Sequence, residues 1–180
     1  MKKILKIGLI TVTGVILVIA VLLFSFIRLE PQYERTSFAM PSVTEAKKSE
    51  IRAETADLLT DKQLFDYTVK KVASELHFTQ RNNLSNNSAN CIGYAAVAKS
   101  YLNYALAIHG KSNKTYHYVG LVNSCGINLN KIMMLFIPAK HKGFVKDHDF
   151  IGMKTDNGEL ILASPSLYDL IGNWAMTILE

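Results

Sequence analysis

Two cysteines, Cys91 and Cys125, and five histidines are the residues of this 180-residue chain whose types suit nucleophilic chemistry. Cys91 has the more telling setting. It follows a polar run, Arg81-Asn82-Asn83-Leu84-Ser85-Asn86-Asn87-Ser88-Ala89-Asn90, and opens a stretch of small and apolar residues. That reads as a loop feeding a helix over 91–108, with Ser88 or Asn90 as its cap. Unpaired N–H groups and the helix dipole favour an anion at such a position, so a lowered thiol pKa is expected there. A nucleophilic cysteine also needs a base, usually histidine, which a third polar group orients. His148, in Lys146-Asp147-His148-Asp149-Phe150, stands at the start of a strand and is the candidate base. Ser164, on the following strand, is the candidate third group, and Asp169 is its substitute if the chain turns back.

Plainer readings stand beside these. Cys91 also fits a small buried hydrophobe. A Cys91–Cys125 disulfide would remove the thiol altogether. Cys125, between Ser124 and Gly126, reads as structural. His117 alternates with apolar neighbours and reads as packed or partner-facing. His141 reads as solvated, and His77 and His109 lie near helix ends. Asp147 and Asp149 flank His148 as a solvated strand edge. No histidine pair has metal-ligand spacing and no acidic cluster suggests calcium, so neither a metal nor a cofactor is expected.

The elements that must position these residues follow from periodicity. Residues 50–59 suit a short helix. Thr60-Asp61-Lys62-Gln63 fits a capping box, and Leu64, Thr68, Val72 and Leu76 recur at helical spacing behind it. Ala95, Ala98, Leu102 and Ala105 give the Cys91 helix a close-packing face, and Gly110 ends it. Strands are expected over 116–122, 127–137, 150–153 and 160–163, the last two joined through Asp156-Asn157-Gly158. Turn length there decides the geometry. A two-residue turn pairs Ile151 with Ser164, whereas a bulged three-residue turn pairs Phe150 with Ser164 and puts it on the His148 face. Helices first and then an antiparallel meander give an α+β plan.

The order of a helix-opening cysteine, a strand-borne histidine and a polar residue on the next strand resembles the transglutaminase-like superfamily, a branch of the papain-like fold. The resemblance rests on Cys91-Ile92-Gly93-Tyr94-Ala95, on Tyr116-His117-Tyr118-Val119-Gly120-Leu121-Val122, on His148-Asp149-Phe150 and on Leu162-Ala163-Ser164-Pro165-Ser166, and covers roughly residues 60–170. It implies Cys91 as nucleophile and His148 as base. An aspartate usually precedes the proline on the last strand of that family, and Ser164 stands there instead. The implied activity is a cysteine hydrolase or acyltransferase acting on peptide or isopeptide amides, with a peptide or protein as substrate. The Ser164 departure motivates the alternative, a non-catalytic binding module of the cell envelope.

The N-terminus adds a membrane expectation. Ile7 to Ile27 carry no charge, a length that suffices to cross a bilayer core of about 20 helical residues. Lys2, Lys3 and Lys6 precede it, which predicts a cytoplasmic N-terminus and a domain on the periplasmic or extracellular side of a single-pass protein. The expected organisation is an anchor over 1–28, a juxtamembrane linker over 29–48 and a transglutaminase-like domain over 49–180. Lys2, Lys3, Lys6 and Arg28 supply four of the five net positive charges, so the rest of the chain is nearly neutral and nucleic acid is not an expected partner.

Overall fold

The computed structural model describes residues 26–136, 146–171 and 176–179, with Gly14 and Val18 before them. Helix α1 spans Glu45–Thr55 and α2 spans Asp61–Glu75. The Thr60 capping box forms as the sequence predicts: Thr60 Oγ1 accepts from the Gln63 N–H and Gln63 Oε1 accepts from the Thr60 N–H at 2.9 Å. It fixes where the helix starts, so Leu64, Phe65, Val69 and Val72 all fall on the buried face. Each of these, fully buried, contributes about 2 kcal/mol.

Helix α3, Cys91–Ile108, is buried along most of its length. Its alanines at 95, 96, 98 and 105 let α2 and a short helix α5, Pro165–Ile171, approach closely. This helical layer rests on one antiparallel sheet. The strands are β1 (Ile27–Glu34), β4 (Thr115–Ser124), β6 (His148–Lys154), β7 (Leu160–Ala163) and β8 (Met176–Leu179), neighbours in that order, with β5 (Ile127–Asn128) paired to the end of β4. A separate two-stranded pair, β2 (His77–Phe78) and β3 (Ser88–Ala89), shapes the loop before α3.

The sheet curls until its outer strands touch, and the Leu29 N–H donates to Thr177 Oγ1 at 3.0 Å. Side chains alternate across it. Ile151, Met153, Ile161 and Ala163 face the helices, while Phe150 and Leu162 face the other way and pack with Ile27, Leu29 and Val122. The α+β plan therefore stands, with α2 and α3 on one face of an antiparallel sheet, Leu129 of a further helix packed against the other, and five α-helices among the described residues.

Three expectations are corrected. Most of the apolar stretch 7–27 lies outside the described residues, and its end is a strand: Ile27 opens β1, is buried and pairs with Ser124. Ile27 and Leu29 are buried while Phe26, Arg28 and Glu30 are exposed, a period of two that belongs to a sheet edge. Among the described residues no helix is long and apolar enough to cross a membrane. The transmembrane helix in the expected fold class, and the single-pass localisation built on it, are corrected accordingly. The stretch 29–48 also holds most of β1 and the start of α1.

The third correction concerns 127–137. Among the described residues of this stretch only Ile127–Asn128 is strand, and Leu129–Phe136 is a helix, α4; residue 137 lies outside the described residues. Asn128 Oδ1 accepts the Lys131 N–H at 3.0 Å and so caps the first turn, and Asn130 Oδ1 accepts the Val122 N–H at 2.8 Å and pins α4 to β4. A short apolar run is compatible with either period, and the two asparagines decide it.

Candidate active site

Asn90 sets the position of Cys91. Its side-chain oxygen accepts from the Ile92 and Gly93 N–H groups at 3.1 and 3.3 Å, so Cys91 is the first helical residue. The Asn90 N–H in turn donates to Asn82 Oδ1 at 2.9 Å, which ties the polar loop to the helix start. Gly93 is where that loop crosses the helix: a Cβ there would run into Asn82 Oδ1 and Ala89 Cβ.

The Cys91 thiol points at the sheet and meets Asp149, with Sγ 3.9 Å from Oδ2. Asp149 lies on β6 opposite Val119 of β4, so His117, two residues before Val119, is its diagonal neighbour on the same face. His117 Nε2 lies 2.8 Å from Asp149 Oδ1. Arg35, just past β1, completes the group: Nε donates to Oδ1 at 2.6 Å and Nη2 to Oδ2 at 3.3 Å. A thiol, an imidazole, a carboxylate and a guanidinium are thus gathered between α3 and the sheet, where most of the buried neighbours are apolar. Burying a carboxylate this deeply costs several kcal/mol unless it is fully paired, and Asp149 is paired on both oxygens.

The electrostatics follow from that packing. Burial pushes the Asp149 carboxyl up, but the hydrogen bonds and charges of His117 and Arg35 outweigh it and hold the group below the usual carboxylate range. Burial pushes the Cys91 thiol up to about 11, helped by the Asp149 charge and opposed by the backbone N–H groups of Asp149 and Ile92. The helix start therefore does not lower this thiol in the closed site. Withdrawal from water outweighs the dipole, and Cys91 rests as a thiol whose proton faces a carboxylate.

The residues expected from the sequence divide into two groups. His148 and Ser164 do meet, with Nε2 and Oγ 2.6 Å apart. The ladder continues from Ile151 opposite Ala163, so Ser164 falls across from Phe150 on the His148 face, beyond a loop running from Thr155 to Glu159. That face is the one turned away from α3, so the structure does not bring His148 to Cys91. Burial pulls the His148 imidazole down to about 4 against the pull of Asp149. Ser164 also accepts the Leu167 N–H at 3.2 Å and caps α5. Asp169 Oδ2 lies 3.0 Å from the Tyr94 hydroxyl and ties α5 to α3.

Both cysteines are free. Cys125 is exposed and forms, with Gly126, the tight turn between β4 and β5, where both residues have positive φ, 50° and 76°. His117 and Asp149 were legible only as a packed strand histidine and a solvated edge residue. The signal that finds them is register: Asp149 shares its face with Ile151 and Met153, the residues that touch the helices. Arg35 carries no sequence signal. Among the described residues no group of His, Cys, Asp and Glu is placed to hold a metal ion. Compared with known proteins, the chain matches no family model, no curated protein and no solved structure.

Proposed function

We propose that this protein is a cysteine-dependent acyl-transfer enzyme, a hydrolase or acyltransferase of peptide or isopeptide amide bonds, in which Cys91 is the nucleophile and His117 the base. The observation that carries the reading is Asp149 bonded to both, with Oδ2 toward the thiol and Oδ1 toward the imidazole. The chain order is cysteine on a helix start, histidine on β4 and carboxylate on β6, the strand beside it in the sheet. That is the order the transglutaminase-like resemblance implies, carried by His117 and Asp149 rather than by His148 and Ser164.

The chemistry follows from the hydrogen bonds. With Asp149 accepting at Nε2, that nitrogen carries the N–H and Nδ1 is the ring nitrogen left to receive a proton. Nδ1 takes the thiol proton as sulfur attacks the carbonyl carbon. The resulting imidazolium is stabilised by Asp149, and gives its proton to the departing amine as the thioester forms. Asn90 occupies the N–H groups of Ile92 and Gly93, so the Cys91 N–H is the helix-start donor left for the developing oxyanion. Water or an amine then takes the acyl group.

The raised thiol favours a second reading, a non-catalytic domain in which the four groups are only a buried polar scaffold. The purified chain treated with p-nitrophenyl acetate separates the two. Acetyl should appear on Cys91, located by peptide mass spectrometry, with p-nitrophenol released. Substituting His117→Ala should slow this by about 100-fold, the usual worth of a general base, while His148→Gln leaves it unchanged. Acetylation confined to Cys125, or a rate that depends on His148 and not on His117, would sink the enzyme reading.

A further inference from the structure

Arg35 is the one member of the buried cluster that the proposed chemistry does not use, and it is bonded to the two members that orient each other. Its backbone N–H donates to the His117 carbonyl at 2.7 Å, one residue beyond the β1–β4 ladder. Its guanidinium grips both oxygens of Asp149. An aspartate carboxylate turns freely about its last bond unless something fixes its plane. A planar fork does this where a point charge does not. With the fork in place, Oδ1 is directed to His117 and Oδ2 to Cys91.

Exposure distinguishes Arg35 as well. Cys91 is 7% exposed, His117 3% and Asp149 2%, whereas the Arg35 side chain is 22% exposed. The guanidinium is the rim of the site and the other three groups are its floor. Burial works against its charge, and the hydrogen bonds and charge of Asp149, with the nearby Asp147, outweigh that. Glu34, its neighbour on β1, is occupied by Lys99 at 3.5 Å.

We propose that Arg35 is a positioning residue for the acyl transfer: its fork fixes the plane of Asp149 so that one carboxylate oxygen orients His117 while the other receives the Cys91 thiol. The role rests on the reading of Cys91 as nucleophile. It predicts different consequences for losing the charge and for losing the fork. Arg35→Gln removes both. Arg35→Lys keeps a cation beside Asp149 but presents it as a single point.

The test measures two quantities on the wild type, Arg35→Gln and Arg35→Lys. One is the rate of Cys91 acetylation by p-nitrophenyl acetate. The other is the titration of the Asp149 side-chain carboxyl by carbon NMR. The glutamine variant should lose about 10- to 100-fold in acetylation, the scale of a displaced orienting group, and its Asp149 should titrate at higher pH than in the wild type. The lysine variant should bring the Asp149 titration back toward the wild-type value while acetylation stays at least about tenfold down. That split is one that loss of folded protein does not produce. Arg35→Lys restoring both quantities together, or Arg35→Gln acetylating at the wild-type rate, overturns the positioning role. A wild type that does not acetylate on Cys91 at all overturns the enzyme reading, and this role with it, whatever Asp149 does.

Discussion

Asp149 stands diagonally across the β4–β6 ladder from His117, and its Oδ1 meets the imidazole Nε2 at 2.8 Å in a place where almost no water reaches either. The pair is the pivot of the site, since the same carboxylate also takes the Cys91 thiol and the Arg35 fork. Its energetics set the first prediction.

Asp149→Asn leaves Arg35 without its counter-charge in a largely buried setting, which typically costs about 3 kcal/mol. The Asp149 carboxyl is lowered in the folded protein. Its contribution is therefore complete above the ordinary carboxylate range and is lost as pH falls through the folded value. Urea denaturation should show the variant well below the wild type at pH 7, with the gap closing on acidification. A gap that widens toward low pH contradicts the assignment.

His148 predicts a second pH dependence. Its folded pKa is lowered to about 4, so below about 6.5 the unfolded chain binds a proton that the folded chain refuses. Stability contributed by the neutral imidazole is complete above that range and falls away between about 6.5 and 4, by about 3 kcal/mol at roughly 1.4 kcal/mol per unit. His148→Gln keeps a polar partner for Ser164 and removes this titration. Denaturation midpoints followed from pH 7 to pH 4.5 should drop steeply for the wild type and less for the variant; parallel curves would count against it.

Gly93→Ala tests the loop that places the cysteine. The new methyl group meets Asn82 Oδ1, which holds the Asn90 N–H, and Ala89. Overpacking of this kind costs about 1–3 kcal/mol. Because Asn82 must give way, Cys91 should also become more accessible, and its alkylation by iodoacetamide at pH 8 should rise relative to the wild type. Unchanged alkylation together with unchanged stability would show that the loop yields freely.

The two cysteines should alkylate in a fixed order. Cys125 is exposed on a turn, whereas Cys91 is buried with its thiol pushed up to about 11. Iodoacetamide reacts with the thiolate, so below pH 9 Cys125 should be modified first, with Cys91 following only as pH approaches the raised value. Peptide mapping across a pH series reads this directly, and Cys91 reacting first at neutral pH would contradict the closed resting site.

Local signals carried much of the fold. The Thr60 capping box, the start of α3 at Cys91 and the Leu160–Ala163 strand are each written in a few neighbouring residues. Residues 129–136 differ from expectation because an apolar run has no period of its own, and the deciding contacts are side chain to backbone, from Asn128 to α4's first turn and from Asn130 to Val122 of β4. Ile27 was misread because apolar residues on its N-terminal side masked the alternation that follows. The site was half legible. Cys91 needs only its loop and cap, but the choice between His117 and His148, and between Asp149 and Ser164, depends on which face of β6 meets the helices. Both faces are buried, so hydrophobic pattern cannot choose. Arg35 lies 114 positions from the carboxylate it grips, and only the curled sheet brings the two together.

That curl also has a bearing on biosynthesis. The bond from Leu29 to Thr177 joins strands at opposite ends of the described chain, and among the described strands β1 pairs with β4, which emerges far later from the ribosome. These long-range pairings slow folding and delay closure of the sheet until β8 has been made. A nascent chain stopped short of β6 has Cys91 but neither Asp149 nor a closed sheet around it. The thiol therefore acquires its Asp149 partner only once β6 has joined the sheet.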